Sequence, residues 1–147
     1  MKLYESTIID HFRNPRNKGT FSDPDFSTQE YIPSCGDRIA LQGKITDGTL
    51  SAVAFTGSGC VISQASASLL TEYALGKFTQ ELLALDKNHL LSMLGIQLGP
   101  TRLQCALLAL QALQEGVQEY MKRTKSSGGS NDAQSAKTGT KTTRTQK

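Results

Sequence analysis

The sequence predicts an α+β fold in which helices pack on one face of an antiparallel sheet. Three observations predict it. Strand-like alternation is confined to residues before Cys60, a tight-turn pair Asp47-Gly48 sits between two such stretches, and the long helical periodicities all follow Cys60.

The elements follow in order. Leu3, Thr7/Ile8 and Phe12 define one stripe of a short amphipathic helix from Leu3 to Phe12. It stops at Arg13-Asn14-Pro15-Arg16-Asn17, because a residue before proline is pushed out of the α region. Gly19 and Asp23-Pro24 continue the loop, and Thr28–Ile32 alternates weakly as a short strand closed by Pro33. Ile39, Leu41 and Ile45 then alternate with polar residues as a half-buried strand. Asp47-Gly48 turns it into a partner in which Leu50, Ala52 and Ala54 alternate less cleanly with Ser51, Val53 and Phe55. Gly57-Ser58-Gly59-Cys60 breaks that strand, and Val61 to Leu75 reads as a helix ending near Gly76. Phe78 to Leu94 supplies one or two short helices divided around Asp86–Asn88. Pro100 suits the first position of a last helix, whose apolar stripe Leu103, Leu107, Leu110, Leu113 and Val117 carries it to about Lys122.

A chain of 147 residues suits one domain. From about Lys125 it is rich in Ser, Thr, Gly, Lys and Gln and cannot bury enough apolar surface to offset the entropy of ordering. We expect a folded domain over 1–122 and a disordered basic tail over 123–147. The formal net charge of +3 hides this division: residues 122–147 carry seven Lys/Arg against one Asp, so the tail is +6 and the remainder −3. The folded part therefore lacks the basic excess of a nucleic-acid-binding domain. No run approaches the roughly 20 apolar residues needed to span a bilayer, and the first residues lack a signal peptide's apolar stretch. Neither nucleic acid nor membrane is expected as a partner.

Three cysteines, at 35, 60 and 105, are too few and too far apart for a disulfide framework. They point to a reducing compartment, the cytoplasm by default. Cys35 lies in Pro33-Ser34-Cys35-Gly36-Asp37, where a thiol and a carboxylate two residues apart can turn toward one ion; a free cysteine beside a solvated aspartate fits the same residues. Cys60 follows Gly57-Ser58-Gly59 and opens a helix, whose N-terminal N–H groups favour a thiolate; a structural cysteine between strand and helix fits as well. The glycines let the backbone come close to whatever binds there. Cys105 falls on the last helix with Leu108, Ala109 and Ala112, away from the Leu103/Leu107 stripe, and alone reads as packing. Spacings of 25 and 45 residues match no zinc-finger pattern, but three thiolates and a carboxylate would suit tetrahedral zinc or a two-iron cluster. His11 and His89 read as surface or packing residues.

Several segments together resemble the NifU N-terminal/IscU/SufU family of iron–sulfur cluster assembly proteins. The stretch from Tyr4 to Gly19, with Asp10-His11-Phe12-Arg13-Asn14-Pro15-Arg16-Asn17-Lys18-Gly19, is similar to that family's opening signature. Cys35-Gly36-Asp37 is similar to its first ligand motif, and Gly59-Cys60-Val61-Ile62-Ser63-Gln64-Ala65-Ser66-Ala67-Ser68 to its second, extended by Leu70-Thr71-Glu72 and Gly76-Lys77. Cys105, after Arg102, stands where the third cysteine belongs. The resemblance covers residues 1 to about 122.

The resemblance implies a three-stranded antiparallel sheet with about four to five helices on it. It implies a scaffold that accepts sulfur from a pyridoxal-phosphate cysteine desulfurase, binds iron, and builds a transient two-iron two-sulfur cluster for apo iron–sulfur acceptor proteins or a carrier. Cys35, Cys60 and Cys105 would be ligands and sulfur acceptors, Asp37 the labile fourth ligand, and the helix around Tyr4 a docking element for the desulfurase. In the IscU branch a histidine precedes the third cysteine, where this chain has Gln104. That branch also carries Leu-Pro-Pro-Val-Lys where this chain has Leu98-Gly99-Pro100-Thr101-Arg102, which argues against a dedicated Hsp70 partner. Arg102-Leu103-Gln104-Cys105-Ala106 is closer to SufU, without the insertion typical of that branch before the third cysteine. Two alternatives accompany the scaffold: a zinc-dependent sulfurtransferase, with Asp37, Cys35 and Cys60 on zinc and Cys105 accepting persulfide, and a zinc-stabilised interaction module.

Overall fold

The computed structural model describes residues 2–33, 36–95 and 97–127, with side chains described from Ser6 to Thr124 within those ranges. Its element order is α1 (Lys2–Arg13), β1 (Phe26–Tyr31), β2 (Arg38–Thr46), β3 (Thr49–Ser58), α2 (Val61–Ala74), α3 (Thr79–Ala84), α4 (Lys87–Leu94) and α5 (Pro100–Ser127). This is the expected α+β arrangement, a three-stranded antiparallel sheet in the order β1-β2-β3 accompanied by five helices. The chain divides into two compact units at Gly116 and Val117; the first holds the sheet and α1–α4 with the first half of α5, the second the last turns of α5. That helix runs past the expected end near Lys122, so residues 123–127 are helical; the rest of the expected tail, 128–147, lies outside the described residues.

The β2–β3 hairpin forms where its turn chemistry demands. Asp47 and Gly48 both take positive φ, 53° and 79°, the pair of left-handed residues that matches the twist of the flanking strands. Ile39, Leu41, Gly43 and Ile45 alternate inward along β2. A register shift between Lys44 and Ile45 interrupts the ladder, and the Ile45 N–H is taken up by Asp25 Oδ2 at 2.7 Å. Phe26 is buried against two glycines: a Cβ at Gly43 or at Gly116 would collide with its ring. A hydrogen bond from Thr28 Oγ1 to the Ala112 carbonyl (2.7 Å) ties β1 to α5.

Outside β3, the loop after α1 covers the sheet edge. Phe55 N–H donates to the Asn17 carbonyl (2.9 Å) and Gly19 N–H to the Phe55 carbonyl (2.8 Å). The loop is also held to α2, where the Ser68 hydroxyl accepts from the Arg16 N–H (2.8 Å) and meets His11 Nδ1 (2.8 Å). The other ring nitrogen, Nε2, lies 3.7 Å from Glu72 Oε1. Burial is the largest cause lowering the affinity of His11 for a second proton. His11 is thus a hydrogen-bonded packing residue. The buried face of α1 carries Ile8 and His11, whereas Phe12, expected on the inner stripe, is 41% exposed.

α2 carries small residues on almost every side because it is buried on almost every side: Ser63, Ala65, Ser66, Ala67 and Ser68 all lie at or below 1% exposure. α3 and α4 separate at Asp86, whose side chain caps α4 through the His89 N–H (2.9 Å), and Gly95 ends α4 in a left-handed conformation (φ 74°). On α5 the expected stripe is corrected. Leu103 and Leu107 are half-buried, while Cys105, Leu108, Ala109 and Ala112 join Leu110 and Leu113 in the core.

Where β1 meets α5, Glu30 and Glu115 share a hydrogen bond. That bond, then burial and the neighbouring charge, raise the Glu30 carboxyl to about 7. A raised carboxyl binds its proton more tightly folded than unfolded, so its stabilising contribution is complete below about pH 4.5 and is lost as pH rises through about 7. Thermal denaturation between pH 5 and 8 should therefore show Glu30→Gln gaining stability relative to the parent as pH rises; parallel curves would contradict the shared proton.

Candidate functional site

Three elements deliver the site. The loop between β1 and β2 is closed by backbone bonds from Gly36 N–H to the Ile32 carbonyl (2.8 Å) and from Ile32 N–H to the Asp37 carbonyl (2.9 Å), with Gly36 at φ 79°. This pins Asp37 at the head of β2. Pairing of Arg38 with Ser58 then places Asp37 beside Gly59, just past the end of β3. Gly59 is at φ 137°, and a Cβ there would run into the Asp37 carboxylate. The close approach that this glycine permits is to Asp37, not directly to a bound species as the sequence suggested. Cys60 follows as the residue preceding α2, with no side-chain cap of its own. Its thiol donates instead to Asp37 Oδ2 (3.2 Å) and its N–H to Asp37 Oδ1 (3.3 Å). Cys105 comes from the second turn of α5.

The ligand atoms of Asp37, Cys60 and Cys105 all lie within 4.8 Å of one another, the one metal-competent group of its kind among the described residues. Two thiolates on a tetrahedral zinc stand about 3.8 Å apart at metal–sulfur bonds of about 2.3 Å, so closure on an ion requires movements of about 1 Å. The donor set fits a borderline-soft metal or an iron–sulfur unit, with the carboxylate as the one hard donor. Cys35, expected as the fourth member, lies outside the described residues. Asp37 and Cys105 are buried, Cys60 is exposed, and neither Cys60 nor Cys105 is in a disulfide. Neither histidine belongs to this group: His11 bonds Ser68, and His89 lies in the first turn of α4 with its ring against Tyr73.

The electrostatics are set by mutual hydrogen bonding. Burial pushes the Asp37 carboxyl up, but hydrogen bonds from the thiols of Cys105 and Cys60, the Cys60 N–H and the Ser63 hydroxyl outweigh it, so the group lies below the usual carboxylate range. Burial, and then the proximity of Asp37 and Cys60, push the Cys105 thiol far up. A cation held between Cys105 and Asp37 would replace the thiol proton. Ser63 was not singled out from the sequence as a site residue. Its signal was local: a polar residue three positions after a helix-opening cysteine, facing inward.

A buried carboxylate bracketed by two free thiols, at the junction of a sheet end and two helix starts, is the candidate metal or cluster site of a small α+β domain. The chain belongs to the NifU-like N terminal domain family, whose model matches residues 3–127. It is 34% identical over 132 residues to the zinc-dependent sulfurtransferase SufU of Bacillus subtilis, covering 78% of this chain and 89% of the relative. It is 31% identical over 121 residues to the iron–sulfur cluster assembly scaffold protein IscU 1 of Archaeoglobus fulgidus, covering 82% and 78%. A nitrogen-fixing NifU-like N-terminal structure from Brucella abortus superposes with a TM-score of 0.69, covering 82% and 95%; at 20% identity it shows the shared fold alone. No helix among the described residues is long and apolar enough to cross a membrane.

Proposed function

We infer that this chain is an iron–sulfur cluster assembly scaffold. It accepts sulfur from a cysteine desulfurase, binds iron, builds a transient two-iron two-sulfur cluster and passes it to apo-proteins or a carrier, in a reducing compartment such as the cytoplasm. Iron and the cluster are cargo here. The observation that carries the reading is the convergence of Asp37, Cys60 and Cys105, two soft donors and one hard one, in a member of this family. Cys35 completes the set by its place in Cys35-Gly36-Asp37. A carboxylate exchanges more readily than thiolate at iron, which suits a site that must release what it assembles.

The sulfur step balances without an outside oxidant. A thiolate of the site attacks the terminal sulfur of the desulfurase persulfide, the sulfur–sulfur bond breaks, and the desulfurase thiolate leaves while the persulfide now sits on the scaffold. Of the two cysteines among the described residues, Cys60 is exposed, and Cys105 must be uncovered before it can take the same role.

A second reading, a zinc-dependent sulfurtransferase with Cys105 as persulfide acceptor, is favoured by the similarity to SufU and by Gln104 before Cys105. Asp37, Cys35 and Cys60 would then hold zinc, for which the donor types fit. Anaerobic reconstitution with iron, cysteine and a desulfurase separates the two. The scaffold is expected to develop the chromophore of a two-iron cluster and transfer it to apo-ferredoxin. One zinc per chain that persists, with accelerated desulfurase turnover and no cluster, would replace the first reading by the second.

A further inference from the structure

Cys60 and Cys105 are two free thiols of unlike accessibility. Cys60 is exposed at the residue preceding α2, whereas Cys105, 4% exposed, is buried on α5. Their sulfur atoms lie within 4.8 Å of each other, since both belong to the cluster of ligand atoms that includes Asp37. A disulfide holds its sulfurs at about 2.05 Å, so closing the gap takes an approach of at most about 2.8 Å. Cys60 is placed to supply it. Its backbone is extended (φ −76°, ψ 167°), just outside the helix, and its thiol holds to Asp37 Oδ2 by a contact of 3.2 Å that a turn about χ1 gives up.

We propose that Cys60 and Cys105 form a reversible disulfide that closes the empty site against oxidation, with Cys60 as the thiol that meets the oxidant and Cys105 as the one that resolves it. The pair itself needs no metal; its effect on metal uptake rests on the reading of Asp37, Cys60 and Cys105 as a metal site. The oxidant is a peroxide. The Cys60 sulfur attacks one oxygen of hydrogen peroxide, the sulfur–oxygen bond forms, the oxygen–oxygen bond breaks, and the thiol proton leaves with the other hydroxyl as water. The Cys105 sulfur, screened from the oxidant, then attacks the Cys60 sulfenic acid: the sulfur–sulfur bond forms, the sulfur–oxygen bond breaks, and the Cys105 proton leaves with that hydroxyl as a second water. The two thiols together lose two electrons and the peroxide gains two.

Without a resolving thiol, the sulfenic acid would go on to a sulfinic acid that thiols do not reduce, and one ligand would be lost. With it, exchange with a dithiol reductant restores both ligands. A disulfide of this transient kind suits a reducing compartment. A bound zinc ion would hold the two sulfurs about 3.8 Å apart as ligands and so keep them from bonding. The disulfide is therefore a state of the empty site.

The deciding experiment treats full-length metal-free protein with a few equivalents of hydrogen peroxide, alkylates the remaining thiols and maps the tryptic peptides without reduction. The three cysteines fall in separate peptides, 19–38, 45–77 and 103–122. The expected product is a monomer in which 45–77 is joined to 103–122 and Cys35 is alkylated, with zinc uptake lost and both changes reversed by dithiothreitol. In Cys105→Ser, dimedone should trap the Cys60 sulfenic acid at several times the wild-type yield. Cys35 joined to either partner, dimers linked through Cys60, or Cys60 oxidised to the sulfinic acid while Cys105 alkylates in full would overturn the pair. Zinc-loaded protein should form the link at least about tenfold more slowly. An equal rate with and without zinc, in a protein that does link Cys60 to Cys105, would uphold the pair and overturn the metal-site reading.

Discussion

Gly59→Ala should disable the metal site while leaving sheet and helices folded. The new methyl group is directed at the Asp37 carboxylate, and the backbone conformation at φ 137° is one that alanine rarely adopts. Relief through the backbone costs about 1–3 kcal/mol. Relief through Asp37 moves the one hard donor away from Cys60 and breaks its bonds to the Cys60 thiol and N–H. Either route spoils a donor set that must close by only about 1 Å. We expect zinc or cobalt affinity to fall on the order of 100-fold, measured by competition with a chromophoric chelator. Wild-type affinity in Gly59→Ala would show that the approach of Asp37 to the backbone is irrelevant to binding.

Phe26→Ala should cost about 3–5 kcal/mol of stability, the range for removing a buried aromatic ring. Phe26 is 2% exposed and occupies space that Gly43 and Gly116 leave open. Gly43→Ala alone should cost about 1–3 kcal/mol, because its methyl group meets the ring. The pair gives a sharper result. In the double variant the alanine at 43 enters the cavity left by the ring, so the combined loss should be smaller than the sum of the single losses. Urea denaturation of the four proteins measures this; strict additivity would mean that ring and glycine do not share one space.

What was legible in the sequence was what local chemistry decides. Asp47-Gly48 forms the turn because these residue types tolerate positive φ, and Pro15 lies just past the end of α1 for a similarly local reason. The face of α5 was not legible. That helix carries apolar residues at Leu103 and from Cys105 through Leu110 without a break, so a 3.6-residue period selects no side, and burial is settled by the sheet it meets. His11 looked like a surface or packing residue because its partner Ser68 lies 57 positions away. The candidate site was legible only through motifs. Nothing in spacings of 25 and 45 residues requires Cys60 and Cys105 to meet Asp37; β2–β3 pairing and the entry of α5 bring them together.

X-ray absorption at the zinc K-edge of zinc-loaded protein tests most directly the claim that Asp37, Cys60 and Cys105 form one metal centre. The account predicts a mixed shell, sulfur at about 2.3 Å with oxygen at about 2.0–2.2 Å, that loses oxygen in Asp37→Ala and sulfur in Cys60→Ser and Cys105→Ser. A shell that is the same in all three variants as in the parent would contradict it.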